Sequence, residues 1–239
     1  MTNNTEPRRR FLQQIVAVVP ATTLAGSAGV VAATAAVPAA AAPAAKPYSP
    51  LFFNDAEWKF LQAAVDRLIP ADDNGPGAIE ACVPEFIDRQ MDTAYAHGKL
   101  WYMQGPFHPE VDATYGHQSS LVPRDIYRHG IAACDAYCKS KFGDKVFADL
   151  DHAGQEQVLK EMEGGKLDFE KVPAKMFFSF LWQNTKEGFF SDPQYGGNRG
   201  MVGWKMIGFP GARGDFLDWP AKGNVKYPYG PVSIAGEKG

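Results

Sequence analysis

The run "AKMFFSFLWQNTKEGFF" that follows Pro173 constrains this chain more than any other stretch. Proline suits the first turn of a helix, where its missing N–H has no intrahelical partner to lose. Met176, Phe177, Phe178, Phe180, Leu181 and Trp182 then put apolar groups on nearly all sides. A helix of that kind must be surrounded by other elements. The fold is therefore expected to be built around it.

The rest of the chain offers helices rather than strands. Asn54 with Glu57 three residues later forms a capping-box variant, and Trp58, Leu61, Val65, Leu68 and Ile69 follow at helical spacing until Pro70 stops them. "ADDNGPG" reads as a plain turn, because the twelve-residue ligand pattern of a calcium loop is missing. A second helix is predicted over 84–97, a third from Pro123 to about Phe142, and a fourth from near Asp151 to the Gly164-Gly165 stop. Strand alternation and internal repeats are not evident. The expected fold is mostly α, an irregular bundle of about five helices with long aromatic, Gly- and Pro-rich loops and an extended C-terminal tail from about residue 191. That tail carries Trp204, Phe209, Phe216, Trp219, Tyr227 and Tyr229, so it needs a surface to lie on, its own domain's or a partner's.

The opening is different again. "RRRFLQQ", beginning at Arg8, fits the pattern Arg-Arg-x-Phe-Leu of a twin-arginine export signal through Arg8, Arg9, Phe11 and Leu12. No charge follows until Lys46, and small-x-small sites such as Ala42-Pro43-Ala44 suit cleavage. Residues 1–44 are expected to be a cleaved signal and 45–239 a single domain. Loss of Glu6, Arg8, Arg9 and Arg10 takes the balance from 24 basic and 27 acidic residues to 21 and 26, a formal charge of −5. No basic cluster remains for nucleic acid.

Chemistry-bearing motifs are sparse. Cys82, Cys134 and Cys138 are an odd number, with Cys134 and Cys138 four apart on one predicted helix. The expectation is a bridge from Cys82 to one of the other two, or an intersubunit bond. No Cys-x-x-Cys-His, zinc or iron–sulfur spacing occurs, no Gly-x-Ser-x-Gly elbow, and no P-loop. "YGGNRG" lacks dinucleotide-binding spacing, so Gly196, Gly197 and Asn198 are expected to set a tight turn. Glu187, His108 and His117 are the residues a stand-alone enzyme would use, and the aromatic loop 99–117 is what a sugar-binding module would use. A subunit of a larger assembly accounts better for an exported chain with a sticky tail and no cofactor motif.

"EGFFSDPQYGGNRGMVGWKMIGFPG", from Glu187 to Gly211, resembles the signature of gluconate 2-dehydrogenase subunit 3, the small subunit of membrane-bound flavin-dependent dehydrogenases. "FNDAEWKFLQAAVDRLIPADDNGPGAIEACVPEFID" is similar to the family's opening, and the resemblance spans most of residues 50–215. It implies a chain with no catalytic, cofactor or metal site of its own. FAD would lie in the large partner, which oxidises D-gluconate to 2-keto-D-gluconate. Haem c would lie in a multihaem cytochrome c subunit that passes electrons to quinone. This subunit would assist folding of the FAD subunit and its twin-arginine export, and the complex would sit on the periplasmic face of the cytoplasmic membrane. Related sugar, polyol or 2-ketogluconate dehydrogenases are alternatives. Candidate partner contacts are Phe189, Phe190, Tyr195, Gly196, Gly197, Asn198, Trp204, Phe209, Phe216 and Trp219.

Overall fold

The computed structural model describes residues 48–239. The predicted signal, with Arg8, Arg9, Phe11 and Leu12, lies outside the described residues. Six α-helices follow in order: α1 (Asp55–Leu68), α2 (Val83–Gln90), α3 (Pro123–Lys141), α4 (His152–Glu163), α5 (Ala174–Phe190) and α6 (Val202–Ile207). Among the described residues there are isolated β-bridges but no strand, so the chain is the irregular helical bundle its sequence predicts. None of these helices is long and apolar enough to cross a membrane.

Helix starts follow their local chemistry. Asn54 accepts from the Ala56 and Glu57 amides, and Glu57 reaches back to the Asn54 amide, closing the predicted capping box. Asp151 caps α4 through the Gly154 amide, at 2.8 Å. Pro123 opens α3. α2 stops at Gln90, seven residues before its predicted end. There the Thr93 hydroxyl donates to the Gln90 carbonyl at 2.8 Å, and the amides of Asp92 and Thr93 turn back to Arg89 and Gln90. A side chain that bonds the local backbone competes with helix propagation.

α5 packs against α1, α2, α3, α4 and α6, as a central helix should. It is not wholly enclosed. Lys175, Ser179, Gln183 and Glu187, spaced four apart, form one solvent-facing stripe. The opposite sides are buried, with Phe177, Leu181 and Phe189 fully so. An aromatic chain crosses the core: Phe60 meets Phe147 at 4.8 Å and Phe177 at 5.9 Å, and Phe177 meets Tyr127 at 5.9 Å. α3 reaches α5 this closely only because residue 130 is glycine; a Cβ there would lie against the Phe177 ring.

The segment before α1 is tied down by charge. The fully buried carboxylate of Asp88 accepts the amides of Leu51, Phe52 and Phe53 at 2.7, 3.0 and 3.1 Å. Arg128 donates to the Phe52 carbonyl and to Glu57, and its guanidinium stacks on the Phe52 ring at 4.3 Å.

On the far side, Tyr137 and Lys141 of α3 and Gln157 of α4 converge on Glu161. Their hydrogen bonds, led by the Tyr137 hydroxyl, hold the Glu161 carboxyl down at about 2. A carboxyl whose folded pKa lies below its unfolded value stabilises the fold above the unfolded pKa and loses that contribution as pH falls towards the folded one. The α3–α4 contact should therefore weaken between about pH 4.5 and about pH 2. Glu161→Gln is expected to lower stability at neutral pH and to flatten the acid limb of a melting-temperature profile. An unchanged acid limb would show that this cluster is not linked to folding.

Candidate functional site

The block from Glu187 to Gly211 was expected to lead into an extended tail from about residue 191. Most of it is folded instead. Two 3-10 turns (Pro193–Tyr195 and Arg199–Met201) and α6 fold back on the end of α5. The reason is close backbone contact. A Cβ at Gly197 would meet the Gly188 carbonyl, and one at Gly203 would meet the Phe189 carbonyl. Glycine is the residue that permits such approach.

Asn198 joins the pieces. It is fully buried and sits in the left-handed region, with φ 46 and ψ 39. Its side-chain amide donates to the Ser191 carbonyl at 2.9 Å, and its side-chain oxygen accepts the Gly203 amide at 2.8 Å. Trp204 donates its indole N–H to the Phe190 carbonyl at 2.8 Å, satisfying a carbonyl at the C-terminal end of α5. Arg199 ties the turn to α2, its amide donating to the Ala81 carbonyl and its guanidinium pairing with Glu85 at 2.7 Å. Asp192, also buried, accepts the Gln194 amide with one oxygen and the Ile234 amide with the other, so it pins the C-terminal segment to the same block.

The glycines of "YGGNRG" therefore serve this turn. A side chain at Gly196 would collide with Arg89, whose stem covers it, and Gly197 faces the Gly188 carbonyl. The groove beside them, of about 180 Å³, is lined by Arg89, Arg199 and Glu237 together with Pro193 and the glycines. It falls short of the pockets of roughly 300–1,000 Å³ that take small molecules and cofactors.

The predicted contact residues divide. Phe189, Trp204 and Asn198 are buried, at 0%, 5% and 0% exposure, and Gly197 is enclosed with them. They build the block and cannot meet a partner without unfolding it. Phe190, Gly196 and Trp219 are half-buried. Tyr195, Phe209 and Phe216 are exposed.

The cysteines do not make the expected bridge. All three are free and buried. Cys134 and Cys138 face each other along α3, and the neighbouring Cys138 thiol and burial push the Cys134 thiol well up. At 0% exposure neither can reach another chain. Cys82 sits at the N-cap of α2 with φ 58, and burial raises its thiol too.

The residues held open for a stand-alone enzyme are not gathered into one constellation. His108 pairs with Glu110 at 3.0 Å. His117 bonds the Leu121 carbonyl at 3.0 Å and lies against Trp101 at 4.6 Å, pinning the aromatic loop to Phe180 of α5. Glu187 accepts from Asn184 at 2.9 Å. That bond closes a network not foreseen from the sequence: buried Tyr127 donates to Asn184, and Asn184 donates to Tyr95 at 3.1 Å. A signal for it existed, because an Asn in the middle of an apolar helix must find partners if buried.

Against this background the sequence profile of gluconate 2-dehydrogenase subunit 3 matches residues 55–211. The chain belongs to the gluconate 2-dehydrogenase subunit 3 family. The matched span begins at the first residue of α1 and ends at Gly211, the last residue of the block. No curated protein and no solved structure matches the chain. The subunit 3 assignment places the chain as an accessory subunit of gluconate 2-dehydrogenase.

Proposed function

We propose that this chain is the non-catalytic small subunit of a membrane-bound, flavin-dependent gluconate 2-dehydrogenase, and that it assists folding and twin-arginine export of the FAD subunit. The observation that carries the reading is the family match over 55–211, which takes in α1 to α6. In support, Gly196 and Gly197 of "YGGNRG" are consumed by internal packing, and Glu187, His108 and His117 each have structural partners. On this reading FAD sits in the large subunit and haem c in a multihaem cytochrome c subunit, which passes electrons from D-gluconate to quinone at the periplasmic face. The motif at Arg8 and Arg9 supplies the route, because the twin-arginine machinery carries folded cargo and so a cofactor-loaded partner can travel attached.

The test is Arg8→Lys with Arg9→Lys in the native host, followed by cell fractionation and a gluconate–dye assay. The expected result is loss of gluconate oxidation outside the membrane, with the FAD subunit retained in the cytoplasm. Normal arrival of an active FAD subunit would refute the escort role. Dye reduction by the purified single chain would refute the non-catalytic one.

A further inference from the structure

Cys134 and Cys138 lie on the buried side of α3 with Tyr127, Gly130 and Ile131, and α3 packs on α5. Both thiols are free and 0% exposed. In an unfolded chain these two are neighbours, joined by a loop far shorter than the one reaching Cys82.

The folded chain resists joining them. A disulfide holds its Cβ atoms about 3.5–4.5 Å apart. Cβ atoms four residues apart on an α-helix stand about 5–6 Å apart. Closing that gap distorts α3 at a point where the core depends on it. The Asp135 carboxylate, between the two cysteines, accepts the Phe147 amide at 3.0 Å. Phe147 is fully buried and meets Phe60 at 4.8 Å. The Cys138 carbonyl accepts the Phe142 amide at 2.8 Å, at the end of the helix. A bridge strains both contacts.

Burial acts in the other direction. A disulfide forms when a thiolate attacks an oxidant's sulfur and passes through a mixed disulfide, so the oxidant must reach the thiol. A side chain with no exposed surface meets no oxidant while α3 stays in the core. The Cys138 thiol and burial also push the Cys134 thiol well up, which keeps its thiolate scarce.

We propose that Cys134 and Cys138 form a redox interlock, in which the pair must be reduced for α3 to pack and the packed helix then keeps the pair reduced. With glutathione disulfide as oxidant the step balances. The two thiols give up two electrons and two protons, one intrachain S–S bond forms, the glutathione S–S bond breaks, and two glutathione thiols leave. The bridge and the folded state exclude each other, so the chain must complete its fold before it meets a disulfide-forming environment. Exported proteins enter such an environment. The interlock stands on helix geometry and burial, independently of the subunit reading. On the export reading it gives a physical reason for a route that carries folded cargo.

The test uses the full chain with Cys82→Ala, so that a single intrachain bridge is available. The chain is unfolded in guanidinium chloride, treated with glutathione disulfide and returned to buffer, with the bridge scored by mass and by thiol titration. The bridged chain is expected to fail to refold, or to melt about 10 °C or more below the reduced chain. Dithiothreitol should restore it. The folded chain given the same oxidant is expected to keep both thiols. Should Cys82→Ala fail to accumulate, the parent chain serves, with the bridge located by peptide mapping. Should the reduced chain not refold from denaturant, synthesis in a cell-free extract with and without glutathione disulfide makes the same comparison. A bridged chain that melts with the reduced one overturns the interlock. So does an unfolded chain that gains glutathione adducts but no bridge, or a folded chain whose thiols react as fast as those of the unfolded one. None of these results bears on gluconate oxidation, so the subunit reading stands or falls separately.

Discussion

Gly130→Ala should destabilise the fold strongly for a single added methyl. Two effects oppose each other. Alanine is the better helix former, by about 1 kcal/mol at an interior position. The added methyl, however, would sit against the Phe177 ring, which is fully buried and touches both Phe60 and Tyr127 at 5.9 Å. Interiors are packed as densely as crystals, so that ring has nowhere to go without shifting α5. Overpacking of this kind costs about 1–3 kcal/mol and occasionally more. Steric cost should win, leaving a net loss of about 2 kcal/mol and a melting temperature lower by roughly 4–8 °C. Gly130→Leu should prevent accumulation of folded protein. A Gly130→Ala protein as stable as the parent would mean that α3 and α5 are less tightly apposed than described.

Asn198→Ala should do comparable damage at the other end of α5. The change removes both side-chain bonds and leaves the Ser191 carbonyl and the Gly203 amide without them. Each orphaned buried group costs about 1–3 kcal/mol. The left-handed backbone adds to the loss, since Asn tolerates φ 46 better than Ala does. The expected sum is about 3 kcal/mol. Asn198→Gly separates the two causes. It relieves the backbone but restores neither bond, so it should fall between Ala and the parent. Equal melting temperatures for all three proteins would remove Asn198 from its place at the centre of the block.

Legibility varied with the range of the interaction. The capping box at Asn54 and Glu57, the proline start of α3 and the glycine stop of α4 are contacts within a few residues, and each stands where the sequence places it. α2 was overestimated because the turn that ends it depends on Thr93 choosing the backbone over solvent. The block's residues identify it, but its shape is not legible in them. Nothing local says that the glycines at 197 and 203 are there to admit the carbonyls of Gly188 and Phe189. Aromatic content within the motif and the tail, which marks most of the candidate partner contacts, does not separate buried Phe189 and Trp204 from exposed Phe209 and Phe216.

Composition, periodicity and capping residues by themselves determined a helical fold around the segment after Pro173, and the motif from Glu187 to Gly211 determined the family. Those features rest on spacing along one stretch of chain. Only the tertiary structure decided that Cys134 and Cys138 are sealed in the core, and that Asp88 holds residues 51–53 from 35 or more positions away. It also decided that the aromatic tail closes on Arg213 and turns Leu217, Val225 and Tyr229 outward. Each of these depends on which distant groups share a neighbourhood, and burial and partner geometry are set only when the whole chain has packed.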